Sequence, residues 1–228
     1  MYLLILHRSD REGTMGSMGT TRERKSSRTG QETRDRIIDA ALETVRVEGL
    51  VGTSARAIAR TGDFNQALVF YHFGSIEELL LAALQRANDR RVERFRDRLS
   101  SVDSLLGLVE IAEDLHGNID DPDHPALVAI VAGWSTNSDV GQRILETLRP
   151  WDEMVEAALR RSLADTPFSQ IVPTKDLAHA IAAMFLGIEL MSRLDRDDAR
   201  TDSLFTSLSG AARLAAPILE SMRAEKAP

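Results

Sequence analysis

The chain has no cysteine, which excludes disulfides and thiolate metal sites and is compatible with a reducing cytoplasm. Aromatic residues are only 5% of its 228 residues, whereas Ala, Leu, Arg and Glu are plentiful, a balance that favours helix throughout. No uninterrupted apolar run approaches the 18 or more residues of a membrane span, so the expectation is a soluble, cytoplasmic protein with no membrane partner. A Ser/His/Asp order, a P-loop and a G-x-G-x-x-G after a strand are also missing, so the chain is not read as an enzyme and no cofactor is expected. With 43% apolar residues it can still bury a core or two.

Positive charge is scarce and unevenly placed. The net charge is −7, yet residues 20–100 hold 15 Lys+Arg against 12 Asp+Glu, while residues 101–228 hold 11 against 21. An acidic second half is repelled by DNA, so only the first half can approach it. The run Arg86, Arg90, Arg91, Arg94, Arg96 and Arg98 reads as a solvated, salt-bridged helix face.

The stretch Ser54 to Phe73 organises the rest. It reads as two short helices with a polar turn, and helices of that length are marginal alone, so longer neighbours must hold them. Ser54 is a good N-cap for the first, whose Ala55, Ile58 and Ala59 form a small apolar face. Thr61-Gly62-Asp63 breaks it, Asp tolerating left-handed geometry better than most residues. Asn65 caps the second, in which Leu68 and Val69 point inward and Gln66, Ala67, Phe70, Tyr71 and His72 are spread over the other faces. Such spacing is that of a helix-turn-helix.

The run Ile58 to Phe73, followed by Ser75 and Glu77-Glu78-Leu79, resembles the DNA-binding domain of the tetracycline-repressor (TetR) family of transcriptional regulators. Tyr71-His72-Phe73 before a restarting helix is the most specific part, and the resemblance spans Thr33 to Leu84. Two positions depart from it: the family's Ala-Gly turn is Gly62-Asp63, and its Lys after the Ser of the fourth helix is Ile76.

Along the chain, residues 1–30 are expected to lie outside the fold, either as an over-long start preceding Met15 or Met18 or as an arm. Arg22, Arg24, Lys25 and Arg28 in that arm form either a solvated tail or a segment that tracks phosphates. A first helix is expected from Gln31 to Glu48, ended by Gly49, and the helix-turn-helix domain from 31 to 74. A connecting fourth helix occupies 75–100. Residues 101–228 read as five helices: Ser104 to His116, His124 to Asn137, Val140 to Leu163 with Pro150 inside, Asp176 to Leu194 capped by Thr174, and Asp202 to Met222 with Pro217 inside. The expected class is therefore all-α, a helix-turn-helix domain followed by a helical domain.

The resemblance implies a homodimer formed through the last two helices, a cavity for a mainly apolar small molecule, and binding to double-stranded operator DNA, with repression as the family habit. Its implied cavity lining here is Trp134, Trp151, Met154, Met184 and Phe185, each of a type that also fills ordinary cores. Gln66, Ala67 and Tyr71 are expected to face the major groove, Ser54, Asn65, His72 and Ser75 the phosphates, and Arg56 either. One reading of another class stays open. Glu113/His116, Asp121/His124 and Asp176/His179 are carboxylate-x-x-His pairs, the spacing with which a helical bundle ligates a metal for catalysis or sensing.

Overall fold

The computed structural model describes residues 18–117, 121–134, 138–195 and 199–226. The expectations for residues 1–17 and for the side chains of Arg22, Arg24, Lys25 and Arg28 lie outside the described residues. Ten helices and no strand occur among the described residues, so the chain is all-α. They are α1 (Met18–Gly52), α2 (Ala55–Gly62), α3 (Ala67–Phe73), α4 (Ile76–Ser101), α5 (Leu105–His116), α6 (His124–Trp134), α7 (Ser138–Ser162), α8 (Phe168–Ile171), α9 (Thr174–Leu194) and α10 (Ala199–Lys226).

The first helix starts earlier than its apolar periodicity indicates. Its N-terminal extension carries Arg22, Glu23, Arg24, Lys25 and Arg28, good helix formers, among Ser, Thr and two glycines, each glycine costing about 1 kcal/mol of propensity. Gly49 does break it, with φ +71°, a conformation that carries no steric penalty only for glycine. A last turn then reaches Gly52.

The core of the first half is built as the periodicity predicts. Ile37, Ile38, Ala41, Leu42 and Val45 of α1 pack with Ile58 of α2, Val69 of α3 and Leu79, Leu80, Ala83 and Leu84 of α4. This core does not stop at the head. Ala126, Val128, Ile130 and Val131 of α6 and Ile144 of α7 belong to the same cluster, so head and body share one buried interior.

α4 is 26 residues long, about 39 Å at 1.5 Å per residue, and begins at Ser75, whose Oγ accepts from Glu78 N at 3.1 Å. Its arginines are not one solvated face. Arg86 pairs with Asp35 and Asp39, Arg90 with Asp39 and Asp123, and Arg98 with Asp114, but Arg91 is only 5% exposed.

Among the described residues the second half contains six helices, not the expected five, because a single turn, α8, lies between α7 and Pro173. α7 and α10 continue through Pro150 and Pro217. Thr174 does not cap α9: it is the first helical residue, preceded by Pro173 with no side-chain cap. α9 also corrects the reading of apolar runs, since by length and composition alone it is a 21-residue helix apolar enough to cross a membrane. Much of its apolar surface, with that of α10, is uncovered: Met184, Met191, Leu194, Leu214 and Ile218 are all exposed.

Candidate nucleic-acid interface and ligand chamber

The short helices are held by caps and by one turn. Ser54 Oγ accepts from Ala57 N at 3.2 Å, which satisfies a free donor of α2. Asp63 takes the left-handed conformation at φ 51°, ψ 59°, and Phe64 N donates to Ala59 O at 3.1 Å. Gly62 is required for space: a Cβ there would stand 2.8 Å from Ala40 Cβ and 2.2 Å from the Phe64 ring. Asn65 Oδ1 accepts from Ala67 N at 2.8 Å and so starts α3. Val69 is wholly buried. Across the helix Ala67 and Tyr71 are exposed, Tyr71 to 81%, and Gln66 is exposed at its N-terminal end.

These caps leave the right groups free. A Ser oxygen that accepts a backbone N–H still has its own proton to donate, and an Asn that accepts through Oδ1 turns its NH2 outward. Ser54, Asn65 and Ser75 thus each present a donor at the head surface, the polarity a phosphate oxygen takes. Arg56 is exposed beside them. His72 is half-buried, its ring edge-on to Tyr71 at 5.0 Å. Phe70 is 51% exposed on the same helix, on an outward face as its spacing indicates, though it was not among the expected DNA contacts.

The head is anchored to the rest of the chain. Arg36 donates to Gly62 O at 3.2 Å, and the Arg34 guanidinium lies 4.7 Å from the centre of the Phe73 ring. Arg143 of α7 grips Glu78 with two hydrogen bonds, 2.5 and 2.9 Å, and holds its carboxyl below the usual range.

The second half contains a chamber of about 460 Å³, lined mainly by apolar side chains of α5, α7 and α9. Trp151, Met184 and Phe185 line it, whereas Met154 packs in the adjoining cluster with Phe95 and Trp151 without being part of the wall. The side chain of Trp134 lies outside the described residues. Trp151 Nε1 donates to Asn88 Oδ1 at 2.8 Å, and Asn88 Nδ2 donates to Thr147 O at 2.8 Å, so this wholly buried amide is satisfied.

At one end of the chamber sits a buried polar chain that spacing did not reveal. Glu189 of α9, 3% exposed, meets His116 Nδ1 of α5 at 3.1 Å and His124 Nε2 of α6 at 2.5 Å, one with each carboxylate oxygen. Burial pushes the Glu189 carboxyl up, but the bonds from His124 and His116 outweigh it and hold the group below its ordinary value. Arg91 Nη1 is 2.6 Å from His124 Nδ1, and Arg91 Nη2 donates to Leu115 O at 3.0 Å. Arg91 Nε and Asp121 Oδ2 lie 3.1 Å apart but are poorly aligned, so neither atom has a hydrogen-bond partner and their contact is electrostatic. The signal was a single carboxylate inside the apolar run Ile181 to Met191, which must find a partner if it is buried.

The three carboxylate-x-x-His pairs are not brought together as metal sites. His116 and His124 turn to Glu189, His179 pairs with Asp152 at 3.0 Å, and Asp121 faces Arg91. Among the described residues no three His, Asp or Glu groups are placed to hold a metal ion. The i, i+3 spacing puts two residues on one face but does not aim them at one point.

A helix-turn-helix head on a helical body defines the class. Within it, residues 37–83 match the family described as bacterial regulatory proteins, tetR family. The chain is 39% identical over 61 residues to the HTH-type transcriptional regulator SrpR of Pseudomonas putida, an alignment covering 27% of this chain and 29% of SrpR. The chain thus spans under a third of that relative's length. The fold extends further. The TetR-family regulator of Cytophaga hutchinsonii superposes with a TM-score of 0.66 at 16% identity, over 80% of this chain and 94% of that one. The multidrug binding protein EbrR complexed with malachite green superposes with a TM-score of 0.53 at 25% identity, over 77% and 96%. Matched segment and fold agree: residues 37–83 carry the tetR-family segment, and the chain as a whole has the fold of TetR-family regulators.

Proposed function

We propose that this protein is a DNA-binding transcriptional regulator that acts as a homodimer on a palindromic operator and is released from it by a small molecule. One observation carries the reading: Val69 is sealed into the core while Ala67 and Tyr71, across the same helix, and Gln66 at its N-terminal end are exposed. A helix so exposed and so well capped is suited to a major groove, with Gln66 pairing an adenine edge and Ala67 meeting a thymine methyl. Ser54, Asn65, His72 and Ser75 fix its register on phosphates, and Arg56 adds charge.

The apolar faces of α9 and α10 support the dimer. Two such faces about a twofold axis cover each other and set two recognition helices one DNA turn apart, about 34 to 36 Å. This pairing also accounts for the apolarity of α9 without a membrane and suits action on DNA in the cytoplasm. The chamber, walled by Trp151, Met184 and Phe185, suits a mainly apolar ligand, and EbrR, of similar fold, is described in complex with malachite green. Repression with release by ligand is the reading adopted. Footprinting the purified protein on DNA upstream of its own and adjacent genes tests it. The expected result is a symmetric protected site with half-sites one turn apart; protection of no sequence over any other overturns it.

A further inference from the structure

We propose that the buried chain His116–Glu189–His124–Arg91–Asp121 is the connection through which the state of the chamber sets the position of the head. This rests on the regulator reading above.

The chain joins five segments: α5 through His116, α9 through Glu189, α6 through His124, α4 through Arg91, and the turn before α6 through Asp121. Its protonation pattern is set by donor chemistry. Arginine only donates, so His124 Nδ1 must accept, and His124 Nε2 therefore carries the proton given to Glu189. A carboxylate only accepts, so His116 Nδ1 donates to Glu189. Each link depends on the one before it.

Two of its members, Arg91 and Glu189, also line the chamber. A purely apolar occupant leaves every bond intact. An occupant that presents an amine or a hydroxyl to Glu189 displaces His124, and the imidazole then no longer holds Arg91. Both partners lost by this step lead to the head. Arg91 lies roughly 22 Å along α4 from its head end, so a small rotation there is enlarged at the recognition helix. His124 opens α6, and the other end of α6 meets the head where Leu50 fills the space above Gly133.

The absence of cysteine makes the test direct. Spin labels at V51C and I171C, both exposed positions, report the head-to-body distance within one chain. The variants Glu189→Leu and His124→Phe cut the chain in the middle, His116→Phe cuts only its end and keeps a ring against Phe205, and Leu163→Ala removes core packing elsewhere. Expected are a shifted or broadened distance and at least tenfold weaker binding to the footprinted DNA for the first two, a smaller change for His116→Phe, and an unchanged distance for Leu163→Ala despite a lower Tm. Variants that melt earlier but keep the wild-type distance and DNA affinity overturn the proposal. If the central variants do not fold, His116→Phe decides by the same readouts. Wild-type protein that protects no DNA removes the regulator reading, while the distance measurement still decides the connection.

Discussion

Leu50 of the head occupies the space that a side chain on Gly133 would need. A Cβ at position 133 would stand 2.2 Å from Leu50 Cδ2, so any side chain there requires the Leu50 side chain to shift. Head and body therefore meet through packed side chains and not through a linker.

Gly133→Val is expected to overpack this contact at a cost of about 1 to 3 kcal/mol. Thermal melting by circular dichroism checks it. An unchanged Tm would mean that the Leu50 side chain turns aside without loss of packing and that this contact does not hold α1 against α6.

Asp63→Gly should stabilise the protein. Asp63 holds the left-handed conformation at φ 51°, which costs a residue with a Cβ roughly 1 to 2 kcal/mol. Glycine removes that cost but gains entropy in the unfolded chain, so a net gain of about 0.5 to 1 kcal/mol is expected. Loss of a carboxylate from the head should also strengthen DNA binding at low salt. A destabilised Asp63→Gly would show that the Asp side chain is held by a contact worth more than the backbone strain.

Gln66→Ala is expected to cost about 1 to 3 kcal/mol of DNA affinity, confined to one or two base positions of each half-site. Titrations against single-base operator variants measure it. An equal loss on random DNA would move Gln66 from base reading to phosphate contact.

Leu214→Glu with Ile218→Glu places two charges on the exposed apolar face of α10. The expectation is a monomer by light scattering, with the folded helix content retained and the binding of a two-half-site operator reduced at least tenfold, because the second half-site is no longer tethered. A dimer that survives both changes would exclude this face as the interface.

The pH dependence originates at Glu189. Its folded carboxyl titrates below the ordinary 4.5, so its contribution to stability is complete above that value and is lost as pH falls through the lower, folded one. His116 and His124 face it directly, Arg91 and Arg193 act on it electrostatically, and Asp121 faces Arg91. Denaturant midpoints between pH 7 and 3 should decline below about pH 4.5, and Glu189→Gln should flatten part of that decline. An identical acid limb in the variant would place the titrating carboxylates elsewhere, at Asp35 or Glu78.

Local chemistry was enough for the sequence to determine the helical class, the two short helices, the caps at Ser54 and Asn65, the left-handed turn at Asp63 and the outward set Gln66, Ala67 and Tyr71. Those features depend on residues within a few positions of one another, where periodicity and capping rules apply. Only the tertiary structure decided that α6 closes the head's core, that Arg91 turns inward among its solvated neighbours, and that Glu189 meets a histidine 73 residues away in the chain. Contacts of that kind depend on how separate helices cross, and the spacing of residues along one helix says which face they share but not what faces them.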